Sequence, residues 1–233
     1  MNSILTPKID QSIAFQVNEI TRGIKKKSTD TKSRPTITIS REFGCEGIPV
    51  AKALVKKLSG EHDKWRLFNR DLINEISNED DLSDELLKAV TEERRSQITQ
   101  DLEAMLRVRP SDYQVYKRLG QNVKLIGESG NAVIVGSGGS VLAEKEPGFF
   151  HVRLTGSFDF RAKRISDATG ITMEEARKTV QSRNTARQEF IQEFSRKSID
   201  DPSLYHMILR NDIFDADQIA DLIIAGLKSA KLL

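Results

Sequence analysis

Five short apolar runs, each followed by a stretch with helical spacing, constrain this chain more than any other feature. They are TITIS at 36–40, WRLF at 65–68, AVIVG at 132–136, FHVRLTG at 150–156 and HMILRN at 206–211. β-Branched and aromatic residues suit strands, and a run that is apolar throughout is buried on both faces rather than one. Strands of that kind belong to parallel sheets, whose neighbours must be joined by a crossover, usually a helix. The expected fold is therefore α/β, a five-stranded parallel sheet with helices on both faces. Helical spacing fills the intervals at 48–58, at DLINEI, at 113–129, 157–169 and 172–197, and at 215–227. One long helix is expected over 83–107, with Ser83 as its cap and Leu86, Val90, Ile98, Leu102 and Met105 along one side.

Ahead of the first strand, Ile9, Ile13, Val17, Ile20 and Ile24 recur at steps of three and four and form one face of an N-terminal amphipathic helix. The polar stretch KKKSTDTKSRP follows and reads as a solvated linker ending at Pro35. The division expected is a helix and basic linker over 1–34 and an α/β domain over 35–233. The isoleucine face packs either on the main body or on a second copy, which would make a homodimer through this helix. A partner-binding arm is the third alternative.

Composition excludes several classes. The 36 Lys and Arg against 34 Asp and Glu leave a formal net charge of +2, whereas a dedicated nucleic-acid binder carries a strong basic excess. A single cysteine cannot close an internal disulfide. The longest apolar runs are too short to span a bilayer, and MNSILTPK lacks the apolar segment of a secretory signal. A soluble, cytoplasmic protein is expected. His62, His151 and His206 have no partner at metal-ligand spacing.

The loop from the first strand into the first helix, S-R-E-F-G-C-E-G-I-P-V-A at 40–51, is where such folds cradle phosphate. It is not a Walker A sequence. Aligned through the helix, Gly47 stands where the loop lysine would be and Pro49 where the metal-binding hydroxyl would be. Arg41 either substitutes for that lysine or pairs with Glu42 or Glu46. Asp71 is either a carboxylate for Mg²⁺ or a helix cap. Arg94 and Arg95 are either further cations for an anionic ligand or a solvent-facing pair.

From residue 36 onward the chain resembles the cytidylate kinase-like family, a branch of the P-loop nucleoside monophosphate kinases. ITISREFGCEGIPVAKALVKKL is similar to its opening S-R-x-x-G-S-G-G loop and helix, and FNRDLINEI to its D-[KR]-[ED]-L-I element. NAVIVGSGGSVL resembles a strand ending in G-R-G, and HVRLTGSFDFRAKRI a strand and helix bearing R-x-x-R. RNTARQEF and DDPSLYHMILRND resemble a lid helix with D-x-x-R followed by a D-P-S-x-Y strand. The resemblance implies transfer of the ATP γ-phosphoryl group, with Mg²⁺, to a small nucleotide, CMP being the first guess. It implies that Gly44, Cys45, Glu46, Gly47 and Arg161 bind the nucleotide and that Arg41, Arg183 and Arg187 act on the transferred group. Arg70, Asp71 and Ser137 would face the acceptor, with Mg²⁺ near Asp71. Glu46, Asn69, Ser137 and Asn184 replace the family's Gly, Asp, Arg and Asp. Those four changes motivate the alternative, a catalytically degenerate nucleotide-binding regulatory or interaction protein.

Overall fold

The computed structural model describes residues 6–27, 35–61, 63–78, 80–106 and 108–233. The linker at 28–34, His62 and the side chain of Ile9 lie outside the described residues. The five runs form five strands: β1 (Thr36–Arg41), β2 (Arg66–Asn69), β3 (Ala132–Val135), β4 (Phe149–Thr155) and β5 (Met207–Arg210). All pairings are parallel, and the order is β2-β3-β1-β4-β5.

The two-residue period of the strands sorts their side chains. On one face Ile37, Ile39, Val133, Val135, Val152 and Leu154 pack with α2 (Gly47–Leu58) and α10 (Ala216–Ser229). On the other, Phe68, Ala132, Ile134 and Phe149 meet a larger cluster built mainly on α6 (Pro110–Ser129) and its neighbours. That second face also carries polar groups. Thr38 Oγ1 lies 2.7 Å from His151 Nδ1, and His151 Nε2 lies 3.2 Å from the Ala143 carbonyl. A carbonyl only accepts, so Nε2 carries the proton and Nδ1 accepts from the threonine. The imidazole is neutral, its pKa lowered to about 4 by burial and then by His206.

The N-terminal helix α1 (Thr6–Lys27) turns its apolar face inward. Ile13, Val17, Ile20 and Ile24 are buried in the cluster that contains Val123 and Ile126 of α6. The described residues of that face are thus used within one chain, against the main body. The single helix expected over 83–107 is two helices, α4 (Asp80–Lys88) and α5 (Glu92–Met105). Thr91 caps α5 by accepting from the Arg94 N–H at 3.3 Å, with Glu92 and Glu93 in the first turn. Ser83 is no cap. It is buried inside α4 and donates to the Ile76 carbonyl at 2.9 Å.

Two outcomes are expected. Ile20→Ala should cost about 2–5 kcal/mol of unfolding free energy in denaturant titration, whereas Phe15→Ser, at a position 62% exposed, should change it by about 0.5 kcal/mol or less. His151 binds fewer protons folded than unfolded between pH 6.5 and about 4, so stability should fall as pH falls through that window. His151→Gln should flatten the slope of unfolding free energy against pH.

Candidate functional site

The sheet order decides where a site can form. From β1 the chain builds β2 and β3 on one side and then β4 and β5 on the other. The carboxyl end of β1 thus lies at the reversal point where open α/β sheets bind ligands. Three arginines meet there: Arg41 ends β1, Arg70 opens α3 (Arg70–Asn78), and Arg187 comes from α9 (Met173–Ser195). They line a cavity of about 110 Å³ together with Ser40, Phe190 and the turn Gly136–Gly138, which leads from β3 into α7 (Gly139–Leu142). Among the described residues no carboxylate lines it.

The electrostatics follow. The Arg187 guanidinium has its pKa lowered to about 10, by burial first and then by Arg41 and Arg70. Arg41 is pushed down too, by burial and then Arg70, with Asp71 acting the other way. Aromatic faces offset part of this cost: Arg187 lies 5.2 Å from the Phe43 ring centroid and Arg70 5.1 Å from that of Phe190. Arg187 also donates to the Arg41 carbonyl at 2.8 Å, and Asn184 Oδ1 accepts from the Phe43 N–H at 2.8 Å. These two bonds dock α9 onto the end of β1. Gly136, Ser137 and Gly138 have φ of 85°, 56° and 68°. A Cβ on Gly136 would overlap Arg41 Nη1, so the glycine makes room for the arginine. The Ser137 hydroxyl is buried with no hydrogen-bond partner.

Of the residues singled out from sequence, Arg41, Arg70, Arg187 and Ser137 come together. Arg183, one turn before Arg187, is exposed and does not line the cavity. Asp71 is exposed in the first turn of α3. The cap of that helix is Asn69, whose Oδ1 accepts from the Leu72 N–H at 2.9 Å. Arg94 pairs with Glu128 and Glu146, away from the site.

The loop at 42–47 is organised differently from a phosphate cradle. The N–H groups of Phe43 and Glu46 donate to Asn184 and Asn211, and those of Cys45 and Gly47 to the carbonyls of Glu42 and Cys45. Glu46 pairs with Arg164 at 2.6 Å rather than with Arg41. Glu42 accepts from the Gly156 N–H at 2.9 Å and faces Arg161. Arg161 donates to the carbonyls of Gly156 and Phe43 and is only 6% exposed. Gly44, at φ 97°, would place a Cβ 2.7 Å from Arg161 Cβ, so helix contact is what requires glycine here. The Cys45 thiol is pushed up to about 12 by burial and then Glu42, which keeps it protonated.

Sequence reading missed Arg153 and Phe190. Arg153 is buried beside Asp200, with Tyr205 and Ser40 each 3.5 Å from Nη1, and borders a further cavity shared with Arg41 and Arg187. An arginine in the middle of the apolar run FHVRLTG was the available signal. A larger cavity of about 340 Å³ shares Arg70, Ser137 and Phe190 with the first and adds Asp112, Tyr116 and Glu193.

The donor set suits phosphate, since guanidinium forks match its oxygens. For Mg²⁺ the chain offers less. No group of three His, Cys, Asp or Glu stands together among the described residues, and Asp71 is the carboxylate felt by Arg41. A magnesium ion would be held by Asp71 and by the phosphates it arrives on. Gly44→Ala is expected to lower unfolding free energy by about 1–3 kcal/mol in denaturant titration, through left-handed strain and the contact with α8 (Phe158–Thr169).

No helix among the described residues is long and apolar enough to cross a membrane. A crystal structure of an uncharacterized protein from Eubacterium ventriosum ATCC 27560 superposes with a TM-score of 0.64 at 20% identity, covering 84% of this chain and 99% of that one. TT1252 from Thermus thermophilus gives a TM-score of 0.41 at 13% identity, with the same coverage, and carries no argument. At such identities a likeness speaks to fold alone. No curated protein matches. The model of the cytidylate kinase-like family matches residues 36–213, well over half of the sequence. With the parallel sheet and the site at its carboxyl edge, that match identifies the chain as a member of the cytidylate kinase-like family.

Proposed function

We propose that this protein transfers the γ-phosphoryl group of ATP, supplied with Mg²⁺, to a small nucleotide, with CMP as the first acceptor to test. The observation that carries the reading is the meeting of Arg41, Arg70 and Arg187 on one cavity free of carboxylates among the described residues. Phosphoryl transfer needs positioning and neutralisation of charge spread over the equatorial oxygens, with little covalent chemistry from the protein. Three permanently charged forks supply that neutralisation. The adjoining 340 Å³ cavity gives an acceptor room beyond Arg70 and Ser137, with Asp112 and Glu193 as hydrogen-bond acceptors for its ring. Membership of the cytidylate kinase-like family supports the same class of reaction.

A second reading, a nucleotide-binding regulator without turnover, is favoured by the first loop. The N–H groups of Phe43, Cys45, Glu46 and Gly47 bond within the protein, Glu46 stands where the family has Gly, and Gly47 where a kinase loop presents a lysine. A screen of ATP against nucleoside monophosphates decides between the two. ADP release that depends on one acceptor supports transfer, and nucleotide bound without ADP release supports the regulator. If transfer occurs, Arg187→Ala should lower kcat by about a hundredfold or more in a protein that still folds by circular dichroism. Arg187→Lys should recover only part of the loss, because an ammonium cannot reproduce the planar fork. Equal rates in all three proteins would remove Arg187 from the mechanism.

A further inference from the structure

We infer that the chain carries a second ligand site, for a small organic anion with an apolar body, in a cavity of about 680 Å³ between α5, α6, the segment 141–147 and the end of α9. That volume lies inside the roughly 300–1,000 Å³ of small-molecule sites. None of its lining residues lines the three cavities that meet at Arg41, Arg70 and Arg187. The inference therefore stands apart from phosphoryl transfer.

The buried Val141 and Leu142 and the half-buried Met105 give this cavity an apolar floor, and a methionine adapts to the shape of what it covers. The wall is charged but balanced. The Glu146 side chain, 6% exposed, pairs with Arg94 and with Lys124, and Lys124, 5% exposed, also reaches Asp101 at 3.2 Å. Arg94 is held by Glu128 as well, and Lys197 by Glu144. A ligand that broke the Glu146 pairs would leave a buried charge alone. The wall thus shapes the cavity and has no charge to spare.

Two cations are left over. Lys145 and Arg196 line the same cavity at exposed positions, and neither side chain makes an ion pair or hydrogen bond among the described residues. Arg196 is held there at a cost. It follows α9 with φ 57°, a left-handed position that ordinarily falls to glycine, and any other L residue strains the backbone there. A cation near a helix C-terminus is favourable in itself, but the adjacent Lys197 supplies that without strain. The ligand these features select is amphiphilic. An apolar ring or chain covers Met105, Val141 and Leu142, and one anionic group at its end pairs with Lys145 and Arg196. A wholly polar anion leaves the floor uncovered, and an uncharged ligand leaves the two cations unused.

Anilinonaphthalene sulfonate is the probe, since it joins an aromatic body to one anion and fluoresces when its rings leave water. Titrated onto the full chain, it should bind the wild type saturably, with one molecule per chain. Uncharged phenylnaphthylamine should bind about fivefold or more weakly. Ala104→Trp, at an exposed position lining the cavity, should fill it and abolish binding. The double variant Lys145→Gln with Arg196→Gly should weaken the sulfonate by about fivefold or more and leave phenylnaphthylamine within about twofold. Arg196→Gly alone should melt at or above the wild type, because glycine relieves the strain, and still lose affinity. Arg70→Gln, in the arginine cluster, and Phe15→Ser and Ile213→Ser, at exposed apolar positions elsewhere, should keep sulfonate affinity within about twofold of wild type. Naphthoate and naphthyl phosphate are then added as competitors. The stronger one tells whether a carboxylate or a phosphate ester suits the site, and displacement by either supports it.

Undiminished binding in Ala104→Trp overturns the inference, as does undiminished sulfonate binding in the double variant. So do equal affinities for the charged and uncharged probes, displacement by neither competitor, or no saturable binding by the wild type at millimolar probe. A loss in Arg70→Gln, Phe15→Ser or Ile213→Ser as large as in Ala104→Trp places the probe elsewhere and also overturns it. Should Ala104→Trp fail to fold, the double variant, at two exposed positions, decides alone. Failure here leaves the proposed phosphoryl transfer standing, and an absence of ADP release leaves this site standing.

Discussion

β1 is hydrogen-bonded along both edges and packed on both faces, and the site depends on that confinement. Its register sets Ile39 opposite both Val135 and Val152, and the Gly136 N–H donates to the Ile39 carbonyl at 3.0 Å. The strand cannot slip by one residue without turning Ile37 and Ile39 out of one core and Thr38 out of its bond to His151. With the register fixed, Arg41 must leave the sheet beside the glycine turn of β3. The arginine cluster is thus a consequence of pairing as much as of charge.

The cluster persists because acids and cations are separated. Glu42 and Glu46 are held by Arg161 and Arg164 on α8, and Arg153 by Asp200, which leaves Arg41, Arg70 and Arg187 around a cavity without a counter-charge among the described residues. Concentrating like charge disfavours the empty protein and favours the complex with an anion. Burial first, and then Arg41 and Arg70, lower the pKa of Arg187. The ring faces of Phe43 and Phe190 and the bond from Arg187 to the Arg41 carbonyl keep the cluster assembled.

α1 lies outside the span matched by the family model, yet its isoleucine face belongs to the same core as α6. α6 also carries Tyr116, whose hydroxyl donates to Glu193 of α9 at 2.9 Å beside the larger cavity. One helix thus joins the N-terminal addition to an element that carries the site.

The sequence determined the strands, the α/β class and the apolar face of α1, though not what that face packs on. These follow from short-range periodicity, in which every side chain of AVIV or of the isoleucine series must be buried somewhere. It also pointed to Arg41, Arg70, Arg187 and Ser137, through their place in motifs. Tertiary structure alone decided the rest. Arg183 and Arg187 are alike in sequence and one turn apart, and only the docking of α9 on Phe43 and Arg41 turns one into the cavity and leaves the other exposed. The sequence offered Glu46 only Arg41 as a partner, and the packing of α8 gave it Arg164. The break between α4 and α5 was masked because both halves keep apolar residues at helical spacing, and only the Thr91 cap marks it. The solitary hydroxyl of Ser137 is visible only in three dimensions, since a missing partner is a property of everything that surrounds the group. Periodicity is carried by neighbours in the chain, whereas a binding site is made by residues that strand order brings together from far apart.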